Sequence, residues 1–291
     1  MGTNMLLIEN DIIRATINPI GAELSSLVTK EDGAEWLWQG DAQWWSGRAP
    51  LLFPVVGRSP ENQVEIDGQI HPMNPHGFAR RSLFSVSRQQ PDAVQLELVA
   101  DDQTRLSFPF AFRLRLTYRL DGASLVTTAE VSNEDTRSMP FQFGYHPAFQ
   151  WPLPQAQGLL HDVEFDVAPS HLLRLNDTGL IDETRHPAPV SGQSITLDPA
   201  DYVNDAMVFD NLGASRFTLQ AGKTRLVMET ENLPDFALWQ KPGAPFICLE
   251  PWHGTAPFPA QGASLAKRSN AITLAAGDMR RFTMRLTPSQ A

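Results

Sequence analysis

Residues 112–122, Phe-Arg-Leu-Arg-Leu-Thr-Tyr-Arg-Leu-Asp-Gly, alternate apolar and polar side chains and then reach an Asp-Gly pair. A period of two indicates a β-strand with one buried face, because successive side chains of a strand point to opposite faces. A second run, rich in Leu, Val and Thr, follows from Ser124 to Asn133. Asp-Gly between two such runs is a strong hairpin signal. The sequence therefore predicts two antiparallel strands joined by a tight turn.

Similar runs, separated by turn residues, recur along the whole chain. They predict strands at 64–66, 69–70, 93–99, 163–167, 217–219 and 226–228, and a closing hairpin that pairs 271–274 with 282–286. No window has the apolar period of an amphipathic helix without a Pro, a Gly or strand-like alternation. We therefore predict an all-β protein with little helix, in which residues 1–291 form one large antiparallel β-sandwich domain. Long loops are expected within 155–203, over one end of the sandwich.

The composition excludes several classes of protein. Acidic residues outnumber basic ones by 33 to 23, and a formal charge of −10 does not suit a phosphate backbone, so we expect no nucleic-acid partner. No window approaches the ~18 consecutive apolar residues of a membrane span, and the first residues lack the pattern of a signal peptide. Cys248 is the single cysteine, so no intramolecular disulfide can form. We expect a cytoplasmic protein, monomer or homodimer, that binds a small molecule.

Glu250 is the first candidate for chemistry. It follows the apolar run Phe246–Leu249 and precedes Pro251. A proline favours an extended conformation in the residue before it and cannot donate to a β-ladder, so we expect the strand to end at Glu250, beside apolar side chains. Such burial raises the pKa of a carboxyl toward the range of a general base at neutral pH. The alternative is a structural glutamate that is paired with an arginine.

His146 is the second candidate. The strand period places the aromatic side chains of 141–145 on one face, expected to be core, and Gln142, Gly144 and His146 on the other. A glycine beside the histidine is expected where a ligand approaches the backbone. The alternative is a histidine that is only hydrogen-bonded within the core.

His76 and Arg58 are candidates for binding an oxygen-rich ligand. His76 lies in a turn-like segment that also carries Arg80 and Arg81, and Arg58 closes an apolar passage upstream. Arg58 is equally compatible with a surface ion pair. His71 and His76 are five positions apart, which matches no common metal-ligand spacing, and we predict no metal. Solvated surface is the expectation for the histidines of the loop-rich region: His161, His171 and His186.

Cofactor signatures are missing from the sequence. It has no phosphate-binding glycine loop, dinucleotide fingerprint, paired-cysteine zinc spacing or nucleophile elbow, so we predict no cofactor. Five of the seven tryptophans fall near predicted turns or strand ends, where an indole can stack on a sugar ring. We assign Trp239 to substrate binding, with a place in the core as the alternative for most of the group. The group consists of Trp44, Trp45, Trp151, Trp239 and Trp252.

An ordered set of short segments resembles the aldose 1-epimerase (galactose mutarotase-like) family. The proline after His146 and the Phe78-Ala79-Arg80 that follows His76-Gly77 differ from the better-known galactose mutarotases and indicate a divergent branch. No single motif is specific, but the set is, and with residues 18–22 and the closing hairpin the similarity covers nearly the whole chain. The segments are Val56-Gly57-Arg58, His76-Gly77, Gly144-Tyr145-His146-Pro147 and Ile247-Cys248-Leu249-Glu250-Pro251.

The resemblance implies an open sugar-binding cleft on one face of a β-sandwich, and an acid–base reaction that interconverts the anomers of a free aldose. A base takes the proton of the anomeric hydroxyl while an acid protonates the ring oxygen, and the opened ring then closes on its other face. By resemblance, Glu250 is the base and His146 the acid. His76 and Arg58 bind and polarise sugar oxygens. Asp205 is the candidate for the substrate-orienting aspartate, with a simple turn residue as its alternative.

Three alternative functions stay open. The segment 76–80 also resembles the hexose-6-phosphate mutarotases, in which arginines would bind the phosphate; Arg80 and Arg81 could contribute, although only one of two consecutive side chains normally faces a ligand. A carbohydrate-binding or sensing protein without activity is the second alternative. A glycoside hydrolase or lyase is less well supported, because hydrolysis normally needs two apposed carboxylates and only Glu250 stands out. The main hypothesis requires Glu250 and His146 to meet at one cavity.

Overall fold

The computed structural model describes residues 4–290 and is mostly β-structure. Strands hold 47% of the residues and helices 8%, which confirms the predicted all-β class. Residues 1–3 and 291 of the predicted domain lie outside the described residues. Among residues 4–290, no helix is long and apolar enough to cross a membrane.

The described chain forms one short α-helix and five 3₁₀ segments. The helix is α1 (Asp102–Ser107), and the side chain of Asp101 caps it by accepting a hydrogen bond from the Thr104 N–H at 2.8 Å. The 3₁₀ segments are Pro60–Asn62, Ala79–Arg81, Pro199–Tyr202, Pro259–Gln261 and Leu265–Lys267.

Twenty-four strands follow one another within residues 4–290. The first thirteen are β1 (Leu6–Glu9), β2 (Ile13–Asn18), β3 (Glu23–Thr29), β4 (Leu51–Leu52), β5 (Gln63–Ile66), β6 (Gln69–Pro72), β7 (Ser85–Gln90), β8 (Ala93–Val99), β9 (Phe112–Asp121), β10 (Ser124–Asn133), β11 (Met139–Phe141), β12 (Phe143–Tyr145) and β13 (Ala148–Gln150). The others are β14 (Asp162–Phe165), β15 (His171–Leu172), β16 (His186–Pro187), β17 (Ser194–Thr196), β18 (Met207–Phe209), β19 (Arg216–Ala221), β20 (Thr224–Glu231), β21 (Asp235–Trp239), β22 (Phe246–His253), β23 (Ile272–Leu274) and β24 (Met279–Gln290).

A nine-stranded antiparallel sheet forms one layer, in the order β17-β14-β19-β20-β24-β10-β9-β8-β7. The hairpin β9–β10 lies near its middle and pairs Asp121 with Ser124. Gly122 in the turn has a φ of 59°, a conformation that glycine adopts without steric cost. The predicted hairpin is confirmed.

A six-stranded sheet forms the facing layer. Its order is β18-β21-β22-β12-β4, and β13 also pairs with β22. Aromatic side chains join the two layers: Phe143 stacks on Phe282 at 4.7 Å between ring centroids, and Phe236 stacks on Phe217 at 3.9 Å. Smaller sheets, β1-β2-β3, β5-β6, β11-β23 and β15-β16, flank them. The result is the predicted antiparallel β-sandwich, with its core between the two large sheets.

The predicted closing hairpin is wrong. Strand β23 pairs with β11, where Leu274 lies opposite Met139, whereas β24 pairs with β10 and β20 in the nine-stranded sheet. The turn between β23 and β24 thus carries the chain from one sheet to another. An alternating pattern identifies a strand and its buried face, but its partner depends on which strands the whole fold brings alongside.

The segment 155–203 contains the strand predicted at 163–167, which is β14, and further strands that were not predicted, among them β17. Strands β14 and β17 extend the nine-stranded sheet at one edge. The expectation of a solvated His161 is wrong, since it is buried, and its Nε2 accepts a hydrogen bond from the Leu153 N–H at 3.0 Å. The segment folds back over Trp151, whose ring centroid lies 6.4 Å from that of His161, and this packing removes the histidine from solvent.

Candidate active site

Glu250 lies inside β22, so the prediction that the strand ends there is wrong. Pro251 continues the strand and pairs with Phe236 of β21. The Leu249 N–H donates to the Pro147 carbonyl, so Pro251, two residues further on, directs its nitrogen to the same side. That side is the junction between β12 and β13, where a missing N–H costs no ladder hydrogen bond.

The alternation of β22 separates two environments. Ile247 and Leu249 point into the core between the two large sheets. Cys248 and Glu250 point to the opposite face, where a cavity of about 880 Å³ lies over the sheet. This volume is within the range of about 300–1,000 Å³ that is typical of small-molecule sites.

All six residues predicted for the site line this one cavity. Each comes from a different strand or loop, and the fold brings the six together. They are Arg58, His76, His146, Asp205, Trp239 and Glu250.

His146 and Glu250 meet at the floor of the cavity. The distance from His146 Nε2 to Glu250 Oε2 is 3.1 Å, and the two side chains are 9% and 2% exposed. His146 directly follows β12, a neighbour of β22, and its backbone N–H donates to the Pro50 carbonyl. Among residues 4–290, His146 alone lies within salt-bridge distance of Glu250, so the arginine-paired alternative does not hold.

Burial acts on the two members of this pair in opposite directions. It raises the pKa of the Glu250 carboxyl well above its ordinary value, and the charge of Asp205 acts in the same direction. It also lowers the pKa of the His146 imidazole well below its ordinary value, and His76 and Arg80 add to this effect. These opposite shifts favour the protonated carboxyl with the neutral imidazole, a state in which the pair carries one proton. Carboxylic acid with imidazole, and carboxylate with imidazolium, are two placements of that proton.

His76 occupies a backbone position that its neighbour makes possible. Its φ is 63°, and Gly77 follows with a φ of 74°. A Cβ at Gly77 would lie 2.0 Å from the Phe53 carbonyl oxygen, so only glycine fits there. This tight turn points the imidazole into the cavity.

The imidazole of His76 is held as a neutral hydrogen-bond donor. The Gly57 N–H donates to its Nδ1 at 3.2 Å, which leaves the proton of the neutral ring on Nε2. Burial, and then the charges of Arg80 and Arg81, lower the pKa of His76 to about 3. The ring meets that of His146 edge-on, at 5.6 Å between centroids. His76 can thus donate Nε2–H to a ligand oxygen beside the proposed acid.

Two tryptophans pack against His146. Trp45 stacks on the imidazole at 5.0 Å between centroids, and Trp239 presents its edge at 5.7 Å. Both line the cavity. The site assignment from sequence omitted Trp45, although its place near a turn was the available signal. The two indoles exclude water from His146 and provide an apolar wall for a sugar ring.

The sequence analysis predicts that Gly144 makes room for a ligand, and this prediction is wrong. Gly144 makes room for Trp252 instead. The two residues are paired across β12 and β22, and a Cβ at Gly144 would lie 2.5 Å from Trp252 Cδ1. The indole thereby fits flat against the sheet and lines the cavity. Its N–H lies near the Glu250 carboxylate and favours the charged form of that group, against the larger effect of burial.

Arg58, Arg80 and Asp205 are among the charged residues that line the cavity. Arg58 and Asp205 are exposed. Asp205 has a φ of 66°, and its carboxylate accepts a hydrogen bond from the Ala206 N–H. It is therefore both a turn residue and part of the cavity lining. Arg80 lines the cavity and Arg81 does not, as expected for consecutive residues. Within residues 4–290, the Arg80 guanidinium has no hydrogen-bond or ion-pair partner.

The comparison with protein families agrees with this geometry. The model of the family described as aldose 1-epimerase matches residues 4–287. The chain belongs to the aldose 1-epimerase family. A relative in this family is protein LacX of Lactococcus lactis subsp. lactis, 30% identical over 260 residues that cover 85% of this chain and 87% of LacX.

Solved structures share the aldose epimerase fold. A galactose mutarotase-like protein from Lactobacillus casei ATCC 334 has a TM-score of 0.91 and 28% identity, and the match covers 98% of this chain and 100% of that one. A galactose mutarotase related enzyme from Lactobacillus acidophilus has a TM-score of 0.92 and 26% identity, with 99% and 98% covered. The family resemblance found in the sequence is confirmed.

Proposed function

We propose that this protein is an isomerase, an aldose 1-epimerase that interconverts the α and β anomers of a free aldose. The observation that carries the proposal is the 3.1 Å contact between His146 Nε2 and Glu250 Oε2 at the floor of a cavity large enough for a sugar. Family membership supports the same reaction class. The single-proton pair is the arrangement that such a reaction uses.

The sugar would lie over this pair, with its ring oxygen toward His146 and its anomeric hydroxyl toward Glu250. His76 would donate its Nε2–H to a sugar oxygen, while Asp205 and Arg58 at the opening would bind hydroxyl groups further out. Trp239 would pack on the apolar face of the ring. These contacts would hold the anomeric carbon in the orientation that proton transfer requires.

The reaction moves two protons and breaks one carbon–oxygen bond. The Glu250 carboxylate takes the proton of the anomeric hydroxyl as the His146 imidazolium protonates the ring oxygen, and the bond between anomeric carbon and ring oxygen breaks. After the aldehyde has turned, the free hydroxyl attacks its other face and returns its proton to His146, while Glu250 returns its own to the carbonyl oxygen. The pair thus ends with the proton it began with.

Burial makes the pair effective in both directions. A carboxylate with a raised pKa is a stronger base, and an imidazolium with a lowered pKa is a stronger acid. Positioned groups of this kind contribute about 10²–10⁴-fold each to a rate. Because every proton that leaves the substrate returns to it, the cycle is complete within the site.

The Glu250→Gln variant tests the proposal. We expect it to lower anomer interconversion by about 10²–10⁴-fold, because the amide keeps the shape but cannot accept the proton. Magnetisation exchange between the anomeric signals of equilibrated sugars measures the rate, and Glu231→Gln, an exposed carboxylate, is the matched control. Wild-type activity in Glu250→Gln would remove the assigned base.

A hexose 6-phosphate is the second candidate substrate, because the unpaired Arg80 lines the cavity together with Arg58. The same exchange measurement on glucose, galactose, pentoses and their phosphates decides between the two. A preference for phosphates that Arg80→Gln abolishes would favour the second candidate. Calorimetric sugar binding without any exchange would instead indicate a binding or sensing protein.

A further inference from the structure

The proposed catalytic pair has a third neighbour that epimerisation does not use. Cys248 precedes Glu250 by two residues on β22, so their side chains leave the same face of the strand. Donor atoms of His146, Cys248 and Glu250 all lie within 4.8 Å of one another, and all three residues are buried. In the part of the chain that the structure describes, no other group of three such residues is gathered this closely.

The spacing of these atoms fits one shared ion. An atom at the centre of a triangle with sides up to 4.8 Å lies roughly 2–3 Å from each corner, close to the ~2.0–2.3 Å of zinc bonds to nitrogen, oxygen and sulfur. The 3.1 Å between His146 Nε2 and Glu250 Oε2 is already that of two ligands on one metal. Glu250 Oε2 is buried and lacks a hydrogen-bond partner among residues 4–290, so an acceptor atom is free at this point.

The donor types select the class of ion. Imidazole, thiolate and carboxylate together suit zinc and cobalt, whereas magnesium and calcium prefer oxygen ligands alone. A divalent ion would neutralise the thiolate and the carboxylate, which removes the cost of burying two negative charges. Binding of the metal would displace the protons that these ligands carry, so affinity should increase with pH.

We propose that His146, Cys248 and Glu250 form an inhibitory site for a divalent transition metal of the zinc class. The inhibition rests on the proposed function, because the metal occupies the two groups that move protons. The binding itself does not rest on it. Zinc and sugar would thus compete for the floor of the cavity. Cys248 supplies the third ligand that His146 and Glu250 need to bind the metal.

Cobalt(II) absorption on the untagged protein tests the binding directly. We expect one equivalent of Co²⁺ to produce a near-ultraviolet thiolate-to-cobalt charge-transfer band, which Zn²⁺ displaces and Mg²⁺ does not. Cys248→Ala and Cys248→Ser should lose the band, and Glu250→Gln should weaken Co²⁺ binding about tenfold or more. Absence of the band in the wild-type protein, or its persistence in both cysteine variants, would overturn the site.

Anomer exchange in the presence of Zn²⁺ tests the inhibition. Cys248 takes no part in proton transfer, so its variants should keep the basal rate and need at least about tenfold more Zn²⁺ for half inhibition. Equal zinc sensitivity in the wild-type and both variants would contradict the proposal. A cobalt band in a protein without exchange activity would refute the proposed function alone, and exchange activity without a cobalt band would refute the metal site alone.

Discussion

At the scale of single residues, the environment of Glu250 matters more than its identity. Burial of its side chain, and then the charge of Asp205, raise the pKa of the Glu250 carboxyl above its ordinary value of 4.5. The same burial lowers the pKa of His146, whose Nε2 lies 3.1 Å from the Glu250 carboxylate. An exposed glutamate and histidine would hold their proton the other way round at pH 5.5, as carboxylate and imidazolium. The fold therefore sets the proton equilibrium that the reaction would use.

Glu250→Gln should change how stability depends on pH. The folded protein binds the Glu250 proton above pH 4.5, where the unfolded chain has lost it, so this group's contribution is present below pH 4.5 and is lost as the pH rises. The amide removes that dependence. We expect the stability of Glu250→Gln relative to wild type to increase between pH 5 and pH 8, by at most about 1.4 kcal/mol per pH unit.

Denaturant unfolding at several pH values measures this effect, with Glu231→Gln as the exposed control. A stability difference between Glu250→Gln and wild type that stays constant from pH 5 to pH 8 would mean that the folded carboxyl titrates normally.

Gly144→Ala should displace the Trp252 indole, which lines the cavity. The added methyl group would lie 2.5 Å from Trp252 Cδ1, so the indole must move off the sheet. We expect a loss of about 1–3 kcal/mol of stability from overpacking, together with weaker sugar binding. Thermal unfolding and calorimetric titration measure the two effects. In a Trp252→Ala background the same change should cost much less, and an equal cost in both backgrounds would contradict the contact.

At the scale of elements, the loop of residues 41–47 forms one wall of the site and is tied to the β21–β22 turn. The Lys241 ammonium in that turn donates to the Trp44 carbonyl at 2.8 Å, and the Trp38 indole N–H donates to the Trp45 carbonyl at 2.8 Å. These bonds hold Trp45 against His146. The wall is thus made of loop residues that strands position from two sides.

Lys241→Ala should loosen this loop. With the ammonium gone, we expect faster hydrogen exchange in 41–47 and a severalfold higher KM with kcat retained, because the stacked wall is held less firmly while the His146–Glu250 pair is intact. Lys223→Ala, in the exposed turn between β19 and β20, is the control. Unchanged exchange in 41–47 would show that Lys241 does not hold the loop.

At the scale of the whole molecule, both large sheets contribute to one main core. Its buried residues run from Ile8 near the start of the chain to Leu286 near its end. Residues from every third of the chain also line the cavity, from Trp45 to Ala256. The site is therefore coupled to the integrity of the entire sandwich, and we propose that residues 1–291 act as a single domain.

A single cooperative unfolding transition is the expected consequence. Sheet content by circular dichroism and tryptophan fluorescence should follow the same denaturant curve, because one core serves both sheets. Two separated transitions would contradict the single-domain proposal.

The amino-acid sequence alone predicted the class of fold, several of its strands and the ordered set of candidate site residues. The alternation of 112–120 and the order of Arg58, His76, His146 and Glu250 along the chain are local or linear properties, which can be read without coordinates. The tertiary structure alone decided the partners of β23 and β24, and that β22 continues through Pro251 instead of ending at Glu250. It also decided the opposite pKa shifts of Glu250 and His146, the contact of Gly144 with Trp252 and the approach of Cys248 to the pair. The reason is that pairing and burial arise from contacts between residues far apart in the chain.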